Sequence, residues 1–153
     1  MYDVERHRPL ADQLGFWVVR LAQAVKADHA QHLNAYGVNL NQYWTLRVIR
    51  QRADATPSVL AGILGIDRAQ STRVVQALAK KALVRRSRDG KDLRVVHLEL
   101  TDKARDLLTR LDSAVGRAER DLADGLTPEA RDTLQRLLID RLARSGGWDP
   151  SDI

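Results

Sequence analysis

LVRRSRDGKDLRVVHLEL, residues 83–100, decides how the rest of the chain is read. A short basic run leads into Asp89-Gly90. After it, Val96, Leu98 and Leu100 alternate with Val95, His97 and Glu99. In an extended chain successive side chains point to opposite faces, so the second run has one apolar and one polar side. Asp-Gly suits a tight hairpin turn, whose central residues take positive φ at little cost to glycine. The stretch therefore predicts two strands, Leu83 to Arg88 and Leu93 to Leu100. The hairpin carries Arg85, Arg86, Arg88, Lys91 and Arg94, a concentration of charge that a solubilising surface does not need.

The net charge of the 153 residues is +5, but it is not spread evenly. Between Arg68 and Arg94 nine basic residues face only Asp89 and Asp92, a net +7, which leaves −2 for the remainder. One segment thus carries the whole excess, the footprint expected for a polyanion. A charged run is also what any solvated face looks like, so its setting has to decide.

Upstream lies ATPSVLAGILGIDRAQSTRVVQALAKKALV, residues 55–84. Thr56-Pro57 is a helix start, with the threonine as N-cap and proline in the first turn, and Gly65 ends that helix after two turns. Asp67 caps the next, expected from Arg68 to Ala82, with Ser71, Val74, Val75, Leu78 and Ala82 on one side. Ala61 and Gly65 are small where the two helices approach and turn. At about 100° per residue Ala69, Arg73, Gln76 and Lys80 face away from the apolar side, with Gln70 and Thr72 on its shoulders. Arginine can give two hydrogen bonds to guanine and glutamine can pair with adenine, although both are also ordinary on a wet helix. Two short helices with a tight turn, the second basic on its outer face, form a helix-turn-helix. With the hairpin after it the unit becomes a winged helix, and the wing's arginines can reach a minor groove beside the recognition helix. Asp92 either pairs with and orients Arg94 or caps the turn.

Long amphipathic helices bracket this unit. Leu10, Leu14, Trp17, Val18, Leu21 and Val25 recur at helical spacing over residues 10–35, and a second helix is expected from Asn41 to Arg52 with Trp44, Val48 and Ile49 inward. After the wing, Thr101-Asp102 opens a helix to Ala123 with Leu107, Leu108, Leu111, Val115 and Leu122. Thr127-Pro128-Glu129 opens another with Leu134, Leu137, Leu138 and Leu142. Apolar stripes that extend beyond a compact core imply a second copy, so a homodimer is expected over a monomeric bundle. The fold class is mainly α with a small β-hairpin wing: a winged helix-turn-helix with long terminal dimerisation helices. It divides into residues 1–39 (N-terminal dimerisation helix and connection), 40–100 (DNA-binding winged helix-turn-helix), 101–146 (C-terminal dimerisation helices) and 147–153 (tail).

LAGILGIDRAQSTRVVQALAKKALVRR, the DGKDLR of the wing and the Leu100-Thr101 that begins the following helix resemble the MarR family of transcriptional regulators, a likeness covering nearly the whole chain. Asp92 and Arg94 stand in that family's paired wing positions. The resemblance implies a homodimer on a palindromic operator, often released when a small, commonly aromatic or anionic ligand enters between the dimerisation and DNA-reading regions. Ala82 and Ala104 stand where the family commonly has glycine, and Ser71 where it usually has a larger apolar residue.

The DNA-contacting set read from the sequence is Gln70, Thr72, Arg73, Gln76, Arg85, Arg86, Arg88, Lys91 and Arg94, oriented at the wing by Asp92. Trp17 and Trp44, with His32 between them in sequence, are the candidates for lining the effector crevice; the alternative, which their apolar spacing favours, is that both tryptophans belong to the core. The chain has no cysteine, which removes disulfides, thiolate metal sites and thiol switches. His29 and His32 read as solvated helix histidines rather than metal ligands. No phosphate-cradling glycine loop, nucleophile motif or acid pair appears, so neither catalysis nor a cofactor is expected. The N-terminal stretch lacks a secretion signal's apolar core and no run approaches the ~20 residues of a membrane span, so a cytoplasmic protein without membrane association is expected. The function is then a sequence-specific, ligand-responsive repressor binding double-stranded DNA. The alternative is a winged-helix protein-interaction module without specific DNA binding.

Overall fold

The computed structural model describes residues 9–88 and 96–145, with the backbone alone at Arg88. The Asp89-Gly90 turn, Lys91, Asp92, Arg94 and residues 146–153 lie outside that set. The order is α1 (Leu14–Asn34), α2 (Leu40–Gln51), α3 (Pro57–Leu64), α4 (Arg68–Lys80), β1 (Val84–Arg88), β2 (Val96–Leu100), α5 (Asp102–Ala123) and α6 (Pro128–Arg144).

Capping chemistry sets most helix starts. Thr56, Asp67, Thr101 and Thr127 each accept a hydrogen bond from the backbone N–H three residues on, satisfying a donor that the first turn leaves open. Asn39 does the same for Gln42, whose side chain reaches back to the Asn39 N–H as a capping box, so α2 begins at Leu40 rather than Asn41. The first helix differs more from expectation. Leu10–Asp12 is a separate 3-10 turn and Gln13 is extended, because no side chain caps at Gln13 and the Trp17 indole donates to the Ala11 carbonyl at 2.8 Å.

α4 stops at Lys80, two residues earlier than its apolar spacing suggests. Ala82 has φ +56°, the left-handed region, and Leu83 donates to Leu78 across the helix end. This termination normally uses glycine, which has no Cβ to clash. A glycine in the resembling family at this position thus has a geometric reason, and alanine here carries strain.

β1 and β2 pair antiparallel in the register Val84↔Leu100 through Arg88↔Val96. The Leu98 N–H donates to the Ala55 carbonyl just before α3, tying the hairpin to the helix-turn-helix. Leu33, Leu46, Leu60, Val75, Leu78, Leu83, Leu98, Leu108 and Leu111 bury in one continuous cluster drawn from α1, α2, α3, α4, the hairpin and α5. The cluster thus draws on all three of the expected regions. Ala104 is fully buried in it. The first half of α1 and nearly all of α6 stay uncovered: Leu14 is 78% exposed and Leu137 61%. Leu122, read as part of the apolar face of α5, is exposed with them.

Candidate nucleic-acid interface and adjoining cleft

α4 is held by its buried side. Val75 and Leu78 enter the core, and the Ser71 hydroxyl donates to the Pro57 carbonyl at 2.7 Å. Where a larger apolar residue would contribute only packing, Ser71 uses its small volume for a directional bond that pins α4 to the start of α3. Gly65, at φ +62°, makes the turn between them. The outward face then presents Thr72, Arg73, Gln76 and Lys80 to solvent, with Gln70 half-buried on the shoulder. Among the described residues neither Arg73 nor Gln76 has a hydrogen-bond or ion-pair partner on the protein. Their donors are free for another molecule, on a helix that the core keeps rigid.

Arg85 and Arg86 are both exposed on β1 but, being consecutive in a strand, they belong to opposite faces. Arg85 stands across from Glu99 and Arg86 across from Leu98. They can therefore address different parts of a duplex backbone. Lys81 is a different case within the basic segment. Its ammonium donates to the Gly37 carbonyl and to Gln42 Oε1, so this charge ties the end of α4 to the α1–α2 connection.

Above this surface a cleft of about 840 Å³ opens between α2, the end of α3, α5 and Leu142 of α6. Trp44, Ile63, Leu64 and Val115 supply apolar walls, while Tyr43, Arg47, Gln51, Asp112 and Glu119 supply the polar ones. Of the three residues assigned to a crevice from sequence, Trp44 lines this cleft. Trp17 is 54% exposed on the uncovered end of α1, and His32 is half-buried with Nδ1 3.0 Å from the Asp28 carbonyl. Within one chain the structure does not bring the three together. α1 turns Trp17 about four turns away from His32, and spacing along one helix says nothing about which neighbour lies opposite.

The sequence reading missed a cluster at the edge of the cleft, of which Tyr43, Arg47 and Asp112 line it. Tyr43 Oη donates to Asp112 Oδ1 at 3.0 Å, Arg47 to the same oxygen at 2.9 Å, and Arg50 to Oδ2 at 2.9 Å. Burial drives the Tyr43 pKa up to about 12, reinforced by its hydrogen bond to Asp112. Burial of Asp112 works to raise its pKa, but the bonds from Arg47, Arg50 and Tyr43 together outweigh it and hold the carboxyl below the usual range. The bond to Asp112 likewise raises Arg47, against a smaller opposing effect of burial. The available signal was the spacing of Tyr43, Arg47 and Arg50 on one helix face and a carboxylate beside Leu108, Leu111 and Val115.

His29 corrects the expectation of a solvated side chain. It is buried, with Nδ1 2.8 Å from the Val25 carbonyl and Nε2 3.0 Å from Glu119 Oε1. The partner lies 90 residues away, on α5. Among the described residues no group of three His, Asp or Glu side chains converges as a metal site, and no helix is long and apolar enough to cross a membrane.

Comparison with known proteins gives this geometry a context. The profile of the MarR family matches residues 36–94. The chain is 30% identical over 148 residues to a putative transcriptional regulatory protein for the hcr operon of Thauera aromatica, covering 96% of this chain and 89% of that one. Among solved structures, the repressor CouR of Rhodococcus jostii RHA1 bound to a 23-mer DNA duplex superposes with a TM-score of 0.79 at 28% identity, covering 84% of this chain and 92% of CouR. A cysteine-to-serine mutant of Escherichia coli MarR complexed with operator DNA gives 0.78 at 27% identity, covering 84% and 93%. With 30% identity along nearly its full length to a putative regulator and the same fold as proteins seen on DNA, this chain belongs to the MarR family of DNA-binding transcriptional regulators, which are not enzymes.

Proposed function

We propose that the protein is a cytoplasmic, homodimeric repressor that reads a palindromic operator and releases it when a small aromatic anion occupies the cleft. The observation carrying the reading is the exposed Arg73 and Gln76 edge of a helix whose other side is locked into the core. Residues 40–100 act as the reading unit, with Gln70, Thr72, Arg73 and Gln76 toward base edges and Arg85 and Arg86 toward phosphates. Arg88, Lys91 and Arg94, oriented by Asp92, extend the same role to the wing tip. Residues 1–39 and 101–146 supply the dimer contacts, supported by the uncovered leucines of α1 and α6, and residues 147–153 form a tail outside them. Two such helices fixed on a dimer read half-sites about one helical turn apart.

For the effector, Trp44 offers a stacking surface and Arg47 a cation at the mouth of an apolar cleft. Trp17 and His32 could join it only from another chain. The primary test is selection of bound fragments from genomic DNA, followed by titration of the selected duplex. With ~6 to ~10 phosphates neutralised per dimer, affinity should fall by about 10³ to 10⁵ between ~50 and ~200 mM salt. Failure to enrich any inverted repeat, or a flat salt response, overturns the reading.

A further inference from the structure

α5 carries two carboxylates two turns apart, Asp112 and Glu119, and both line the cleft. Each is bonded to a different helix. Asp112 holds Tyr43, Arg47 and Arg50 of α2, the helix against which α3, α4 and β2 all pack. Glu119 holds buried His29 of α1. The Asp112 clasp is thus a polar joint between the reading unit and the long helix that leads out of it. The other joint stays within the terminal helices.

One member of the clasp belongs to both structures. Arg47 donates to Asp112 through a single nitrogen, with the Tyr43 hydroxyl as its other neighbour in the clasp, so the carboxylate does not engage its guanidinium with two parallel N–H groups. A guanidinium forms its strongest pairs when two parallel N–H groups meet one carboxylate. A carboxylate arriving on the cleft side can offer that geometry, and Arg47 then no longer needs Asp112. Arg50, by contrast, joins the clasp through Oδ2 but does not line the cleft.

We propose that an aromatic carboxylate in the cleft acts by competing with Asp112 for Arg47, and that Asp112 is the positioning residue holding α2 against α5 in the arrangement that binds the operator. The proposal rests on the effector reading above for its ligand and stands without it for the clasp. A ligand that binds better when the clasp is open must weaken the operator complex, and by linkage opening the clasp by mutation must tighten the ligand. Ligand contact alone cannot explain such an effect at Arg50.

The test compares the parent, Asp112→Asn and Arg50→Gln, with Asp112→Glu as the conservative variant. Operator affinity is read by fluorescence anisotropy with and without benzoate, salicylate and trans-cinnamate, and carboxylate affinity by calorimetry. The chain has no native cysteine, so spin labels at Ala69→Cys and Asp106→Cys report the distance between α4 and α5 directly. Asp112→Asn and Arg50→Gln should each weaken the operator without any carboxylate, by about fivefold or more, the range usual for coupled sites. Both should bind the carboxylate more tightly, shrink its effect on the operator and move the label distance as the ligand moves it in the parent. Asp112→Glu should recover part of the operator affinity. Parent-like operator affinity and label distance in both variants would overturn the clasp, as would a weakened operator complex that still responds to the carboxylate in full. If no carboxylate affects the parent, the effector class is wrong and the label distance decides the clasp: a shift in Arg50→Gln supports it and an unchanged distance overturns it.

Discussion

The helix-turn-helix core and the terminal helices carry similar apolar periodicity and meet opposite fates. Leu46, Leu60, Leu78 and Leu98 are sealed by residues from other elements of the same chain, whereas Leu14, Trp17, Leu137 and Leu138 remain 78, 54, 61 and 44% exposed among the described residues. A helix of the first kind contributes folding energy within the chain, about 1.5–3 kcal/mol for each fully buried large side chain. A helix of the second kind leaves that energy unrealised. The difference teaches that an amphipathic pattern identifies which face leaves water but not what covers it, and in α1 both fates occur on one helix: Leu33 is fully buried and Leu14 is not.

Charging the uncovered face breaks the comparison most severely. Leu138→Asp should dissociate the dimer and, by removing the second half-site, cost operator affinity about 10² to 10⁴, the usual gain from a linked second contact. Sedimentation together with anisotropy checks it, and a folded monomer with full operator affinity would falsify the assignment of α6 to the dimer. The reading face should respond differently. Arg73→Ala should weaken the operator by roughly 1–3 kcal/mol while scrambled duplex loses far less, because a base contact carries sequence information and a phosphate contact does not. Equal losses on both duplexes would move Arg73 to the backbone-holding set.

Two smaller effects sharpen the picture of the core. Ala82 sits at φ +56°, so Ala82→Gly should stabilise the fold by about 0.5–1 kcal/mol, the relief of left-handed strain less the added freedom of the unfolded chain. A rise in melting temperature with unchanged operator affinity is the expected result. The smallest concerns pH. The Asp112 pKa is below its ordinary 3.8 in the folded protein, so its contribution is present above that value and is lost as pH falls through the folded pKa. Tyr43 works in reverse: its contribution is present below 10.0 and is lost as pH rises through about 12. Denaturant titrations of Asp112→Asn should show a flatter acid limb, by tenths to about 1 kcal/mol for a pair this exposed. An acid limb identical to the parent's would remove Asp112 from the stabilising set.

How much of this was legible depends on the range of the interaction. Thr56-Pro57, Gly65, Asp67, Thr101 and Thr127 act within one turn of their own backbone, so the starts of α3 to α6 follow from the sequence almost residue by residue. The outward set of α4 follows equally well, because a helix of known start and period has only one side left once Val75 and Leu78 are inside. The same local reasoning does not reach the cleft: Trp17, His32 and Trp44 share a chemistry and a stretch of sequence, but the cleft is walled by α2, α3, α5 and α6, and within one chain Trp44 alone of the three lines it.

By itself, then, the sequence determined the helices, the hairpin, the basic footprint and the outward recognition face, since caps, turns and periodicity are local rules written in neighbouring residues. Tertiary structure alone decided that His29 is buried against Glu119, that Lys81 faces the protein instead of a phosphate, and that Asp112 gathers Tyr43, Arg47 and Arg50 at the edge of the cleft. These pairings join residues 39 to 90 positions apart. No local pattern distinguishes a charge that meets such a partner from one that meets water; only the packing of α5 on α1 and α2, and of the end of α4 on the start of α2, does.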